Sequence, residues 1–170
     1  MIPVRQVFLV ALFLFFAAVL QGRVAHAIAI RGAQPDLIVV VLACGGTLLG
    51  GGRVAGLGFW AGLLTGALIP GTIGTFLTSR TLAGAFAGWL HGAVIRDSIA
   101  VPPLAAFTTT LVAEMVFVLM APTHHLRTWA GARGGELLYN TLLAFPIYFL
   151  LSRLQIGRQK DDPFALHSSR

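Results

Sequence analysis

The sequence predicts an all-α integral membrane protein, a single domain of six transmembrane helices, and three observations lead there. Hydrophobic residues make up 56% of the 170 and charged residues only 11%, whereas a soluble domain carries about 25% charge. So little charge cannot coat a water-soluble fold. Mean hydropathy is +0.83, and the apolar residues fall into runs separated by glycine, proline and charged positions. At roughly 20 residues per span, six spans take about 120 residues and leave about 50 for loops and tails, with no room for a separate soluble domain.

The same composition excludes several other classes. A disordered chain would be poor in apolar residues and rich in charge. The 20 glycines show no three-residue period, so collagen is excluded. Cys44 is the only cysteine, so there is no disulfide framework. The net charge of +6 comes from basic residues scattered singly between apolar runs, with no basic stripe to follow a phosphate backbone. Nucleic acid is therefore not an expected partner, and the lipid bilayer is.

The spans are expected at 4–21, 36–52, 54–70, 73–95, 99–121 and 136–152, within a membrane domain over 1–155 that ends in a short hydrophilic tail over 153–170. The first apolar run, Val7 to Leu20, follows Arg5 and closes on Gln21, Gly22 and Arg23. With Ala25-His26-Ala27 behind it, this run also fits a secretory signal peptide; its cleavage would not change the orientation of the later spans. The second run, Leu37 to Leu49, is opened by Pro35 and Asp36, a proline followed by a capping carboxylate. It must borrow Gly50-Gly51-Gly52 to cross, and Arg53 marks a tight turn. The third run, Val54 to Ile69, stops at Pro70-Gly71. At about 1.5 Å per residue these two runs either form a short hairpin in a thinned bilayer or stop short of crossing ~30 Å of hydrocarbon.

The fourth segment, Thr72 to Ile95, carries Arg80 and His91 and ends at Arg96-Asp97; the fifth, Ile99 to Ala121, holds Pro102-Pro103 and Glu114. A polar loop is expected from Pro122 to Gly135, with His124, His125, Arg127 and Arg133 in it. The sixth segment, Glu136 to Leu151, holds Asn140 and Pro146. With six spans, Arg5, Arg53, Arg96, Arg153, Arg158, Lys160 and Arg170 fall on one side, against Arg23, Arg31, Arg127 and Arg133 on the other. The excess of positive charge places both termini in the cytoplasm.

Two glycine series stand out. Gly58, Gly62 and Gly66 repeat every four residues in the third segment, and Gly84, Gly88 and Gly92 do so in the fourth. Each series lies on nearly one helix face, where backbones can approach closely and gain contacts that lipid does not supply. Packing of the two helices on each other is favoured over packing against a partner's span. The stretch Gly56-Leu57-Gly58-Phe59-Trp60-Ala61-Gly62 does not have the spacing or the preceding strand of a dinucleotide loop.

Arg80, His91, Glu114 and Asn140 are the polar candidates within the bilayer. Buried charge there costs about 3 kcal/mol on insertion scales, so such groups face the bundle interior and pair. One reading pairs Glu114 with Arg80 or His91. The other lets Arg80 snorkel to the outer interface with His91 near the inner one, while Glu114 accepts hydrogen bonds from a neighbour. Catalysis has thin support: Glu114 and His91 could act as acid and base, but no nucleophile stands in a recognisable frame. There is no HExxH, and His124-His125 lacks a third metal ligand nearby. No cofactor or metal is expected. Trp60, Trp89 and Trp129 fit interfacial anchors or bundle packing.

The order of these features resembles the rod shape-determining protein MreD family. The matching elements are Gln21 closing the first span, Pro35-Asp36-Leu37 opening the second and Gly56-Leu57-Gly58-Phe59-Trp60-Ala61-Gly62-Leu63-Leu64 in the third. They continue with the turn Pro70-Gly71-Thr72-Ile73-Gly74 and with Asn140-Thr141-Leu142-Leu143-Ala144-Phe145-Pro146 before Arg153. Many members place an aspartate where this chain has Thr65-Gly66-Ala67, so no polar role carries over to that position. The resemblance implies a bundle similar to the substrate-binding subunits of energy-coupling-factor vitamin transporters. It also implies a non-enzymatic inner-membrane component of the bacterial cell-elongation machinery that supports rod shape and lateral peptidoglycan synthesis. The implied partners are MreC and, directly or through it, RodA and a class B penicillin-binding transpeptidase, with the MreB filament reached indirectly. Two other readings stand beside it. A vitamin-capturing transporter subunit would need a polar and aromatic pocket near the outer face, for which the outward positions offer Thr75, Thr78, Arg80, Trp129 and the two loop histidines. An intramembrane enzyme has only Glu114 and His91 in its favour.

Overall fold

A computed structural model describes residues 4–22, 27–30, 32–93, 98–122 and 126–154. Among the described residues the chain forms six α-helices: α1 (Val4–Leu20), α2 (Leu37–Leu49), α3 (Gly52–Ala67), α4 (Ile73–Ala93), α5 (Val101–Met120) and α6 (Leu126–Arg153). Extended pairing is limited there to one bridge between Ile30 and Ala33. Arg23, Ala25, His26, Arg31, Arg96, Asp97, His124, His125 and the tail from residue 155 onward lie outside the described residues.

The 13 residues of α2 are apolar or small on every side, and a helix without a polar face belongs inside a bundle. It lies at the centre, in contact with each of the other five helices. Ile38, Val39, Val40, Leu42, Ala43 and Cys44 are all at most 2% exposed. Asp36 caps it, its side chain accepting a hydrogen bond from the Val39 N–H at 3.1 Å, as the sequence predicts. At its other end Gly50 and Gly51 adopt φ of 64° and 63°. That left-handed geometry suits glycine and turns the chain directly into α3.

α3 and α4 form the closest helix pair. An added Cβ at Gly62 would lie 2.5 Å from the Phe76 carbonyl oxygen, and one at Gly66 would lie 2.6 Å from the Ile73 Cα. Added Cβ atoms at Gly58, Gly84 and Gly88 would run into the carbonyls of Arg80, Val54 and Gly51. Backbone meets backbone along this seam, so no flexible side chain can give way. Gly92 stands apart, with nothing within 4 Å of its added Cβ, because the seam ends where Gly88 meets the first turn of α3. Gly46, absent from both series, joins the packing: its Cβ would lie 2.6 Å from the Ala87 backbone.

One expected boundary is corrected. The polar loop expected over 122–135 is helical from Leu126, so α6 starts ten residues ahead of Glu136 and runs 28 residues to Arg153. The three glycines in this stretch argue against a helix by propensity; Gly135 is packed against Ala33 with no room for a Cβ, while Gly131 and Gly134 meet nothing within 4 Å. Arg133 and Glu136, one turn apart, form an ion pair along the helix.

Large apolar residues cover the outside of the bundle. On α1 Val4, Phe8, Leu12, Phe15 and Val19 are exposed; on α5 Leu104, Phe107, Leu111, Met115 and Leu119; on α6 Leu138, Leu142, Phe145 and Phe149. These follow the three-and-four spacing of one helix face. The buried set, by contrast, includes Asp36, Arg80, Glu114, Glu136 and Asn140, each at most 7% exposed. Two helical stretches, Val101–Met120 and Trp129–Arg153, are long and apolar enough to cross a membrane.

Candidate functional site

Polar groups from five helices converge at one end of the bundle, where α2, α4 and α6 begin and α1, α3 and α5 end. Gln21, just past α1, uses both ends of its amide: Nε2 donates to the Pro35 carbonyl at 2.9 Å and Oε1 accepts from the Leu37 N–H at 2.9 Å. Asn140 of α6 does the same one layer deeper. Its Oδ1 accepts from the Asp36 N–H at 2.9 Å and its Nδ2 donates to the Thr110 hydroxyl of α5 at 3.1 Å. The start of α2 is thus held by side chains from both neighbours, which satisfies backbone groups that a buried helix end would otherwise leave open.

The charged groups pair within this frame. Arg80 of α4 forms an ion pair with Asp36, both buried, and its guanidinium lies 5.4 Å from the Phe76 ring centroid. Ser79 beside it donates to the Ala113 carbonyl of α5 at 2.7 Å, joining α4 to α5. Arg133 lies between two carboxylates: its Nε is 3.0 Å from Glu114 Oε2, and it pairs with Glu136. Pairing of this kind makes buried charge tolerable, since a lone ion in a low-dielectric interior is far more costly than a matched set.

The expected pairing of Glu114 with Arg80 or His91 does not form. Arg133 takes Glu114 because α6 starts early enough to carry it into the bundle. Arg80 is 3% exposed, so it does not snorkel to a surface either. His91 lies eleven residues along α4 from Arg80, about 16 Å of helix rise. Its ring covers Gly50, and its Nδ1 is 2.7 Å from the Thr47 carbonyl. A carbonyl only accepts, so Nδ1 carries the proton. His91 and Glu114 therefore do not meet as an acid–base pair.

Between the charged groups and the bundle end lies a cavity of about 470 Å³, whose wall includes Gln21, Asp36, Arg80, Glu114, Arg133 and Glu136. Phe76, Phe117 and Trp129 supply an aromatic side, with Phe76 and Phe117 in edge-to-face contact at 5.1 Å. Thr65 also lines it. Of the sequence candidates, Arg80, Glu114, Asn140, Gln21, Pro35 and Asp36 meet in this region, with Asn140 just beneath the cavity. Pro146 lies further along α6, and Gly58, Gly62, Gly66, Gly84 and Gly88 form the α3–α4 seam. The sequence reading missed Arg133 and Glu136 as partners of the cluster. Their one-turn spacing was the available signal, masked by assigning Arg133 to a loop.

Among the described residues no cluster of three or more His, Cys, Asp or Glu has the arrangement of a metal site. Comparison with protein-family models, with curated proteins and with solved structures finds no match to this chain.

Proposed function

We propose that the chain crosses the cytoplasmic membrane of a bacterium six times with both termini inside, and that it serves the cell-elongation complex as a non-enzymatic partner of MreC. The observation that carries this reading is where the resembling residues fall. Gln21, the Pro35-Asp36-Leu37 opening and Asn140, scattered along the sequence, form one hydrogen-bonded knot. Three of the elements that make the chain resemble the MreD family thus share one structural task, fixing the start of the central helix. The apolar belt on α1, α5 and α6 supports the membrane placement, because exposed leucine and phenylalanine stripes around a charged interior suit lipid rather than water.

In this topology Gln21, Asp36, Arg80, Glu114 and Arg133 lie toward the outer face, where the extracytoplasmic part of MreC and the peptidoglycan enzymes work. Lateral binding would use the helix faces, through close packing that lipid does not offer. Depleting the protein in a rod-shaped host is expected to give round cells, and affinity purification is expected to recover an MreC-like coiled-coil protein. Normal shape after depletion would overturn the reading.

A second reading, the substrate-binding subunit of a vitamin transporter, gains from one observation. The cavity combines charged and aromatic groups, at the end that the proposed topology turns outward, and this is more than the sequence alone offered. A vitamin recovered in stoichiometric amount with the purified protein would favour it.

A further inference from the structure

We infer that the cavity binds a small primary amine, with the ammonium group held between Glu114 and Glu136. The inference concerns what occupies the cavity and does not depend on whether the chain scaffolds or transports. The wall carries three carboxylates, from Asp36, Glu114 and Glu136, against two guanidiniums, from Arg80 and Arg133. Asp36 and Arg80 form a closed pair, which leaves Arg133 shared between two glutamates. With every group ionised, one negative charge has no counterpart among the described residues, in a site where unbalanced charge is strongly disfavoured.

Hydrogen bonding points the same way. Glu114 is 4% exposed, and its Oε2 has no hydrogen-bond partner. Arg133 Nε is near it at 3.0 Å, close enough for charge attraction but not directed as a hydrogen bond. An ammonium offers three donors in free rotation together with the missing positive charge. Arg80 Nε is the other buried polar atom on the wall without a partner; a carbonyl or ester oxygen next to the amine would satisfy it. Phe76, Phe117 and Trp129 give the body of such a molecule an apolar wall and its charge a π-face. The volume of about 470 Å³ lies within the roughly 300–1,000 Å³ of small-molecule sites.

The amine could be a free solute or the headgroup of an aminophospholipid, and one experiment separates them. The full chain is placed in phosphatidylglycerol nanodiscs and titrated calorimetrically with phenylethylamine and with phenylpropionate, an anion of similar shape. Saturable binding of the amine and none of the anion is expected. Glu114→Gln and Glu136→Gln are each expected to weaken the amine at least tenfold, while Gly92→Ala, outside the site, leaves it unchanged. In discs containing phosphatidylethanolamine, loss of amine binding identifies the headgroup as the natural occupant, and unchanged binding identifies a free solute.

Absence of amine binding in phosphatidylglycerol discs would overturn the inference, as a proton would then balance the site. Equal binding of the anion, or full affinity in both glutamate variants, would do so too. Should both variants fail to fold, the comparison of amine with anion on the unaltered protein decides.

Discussion

Arg80 is buried on α4 with its guanidinium against Asp36. Removing one member of such a pair leaves an uncompensated charge and costs about 3–5 kcal/mol; replacing both with apolar groups of similar size removes the charge altogether. Arg80→Met is accordingly expected to destabilise the bundle by about 3–5 kcal/mol in denaturant titration of the micelle-bound protein. The double variant Asp36→Leu with Arg80→Met is expected to lose much less than the two single losses combined; additive losses would mean that the two residues act through other neighbours. Asn140→Leu tests the other arm of the knot. It opens the Asp36 N–H and the Thr110 hydroxyl together, and a buried group left unsatisfied costs about 1–3 kcal/mol. At this scale the sequence showed which residues were out of place in apolar segments but not which would meet. Asp36 was legible as a helix cap because capping is local. Its pairing with Arg80, 44 residues away, depends on how α2 and α4 lie against each other, which no local pattern states.

Helix contact between α3 and α4 depends on glycine at the places where backbones touch. Gly62→Val would drive its side chain into the Phe76 and Leu77 backbone, and neither helix can yield without parting from the other. Gly56→Val and Gly92→Val meet open space. The first substitution is expected to abolish stable folding, seen as loss of a monodisperse peak in size-exclusion chromatography, while the other two leave it intact. Equal behaviour of all three would remove the seam as the basis of the pair. The four-residue glycine repeat was legible because the helix period itself writes it. That Gly92 stands apart was not, since it depends on where α3 begins. The start of α6 was misread for a related reason: Gly131, Gly134 and Gly135 carry loop propensity, and the contact that favours the helix at Gly135, with Ala33, comes from a distant part of the chain. Propensity is a local quantity and the contact that overrides it is not.

For the molecule as a whole, the short central helices have a physical explanation in the bundle. At about 1.5 Å per residue, the 13 residues of α2 span about 20 Å and the 16 of α3 about 24 Å, less than ~30 Å of hydrocarbon. A helix surrounded by other helices need not match the lipid, because its ends are solvated by protein: Gln21 and Asn140 serve the start of α2, and the turn at Gly50 and Gly51 ends it against α4. The proposed topology therefore sets Arg53 inside and Leu68 outside although α3 alone is too short to span an undistorted bilayer. Both positions are exposed, and Cys44 is fully buried, so Cys44→Ala gives a background without thiols at little structural cost. In that background, a membrane-impermeant maleimide added to intact spheroplasts is expected to label Leu68→Cys at once and Arg53→Cys only after permeabilisation. The reverse order would invert the bundle and turn the cavity toward the cytoplasm. Labelling of both before permeabilisation would mean that α3 does not cross, and the count of six spans would fall with it.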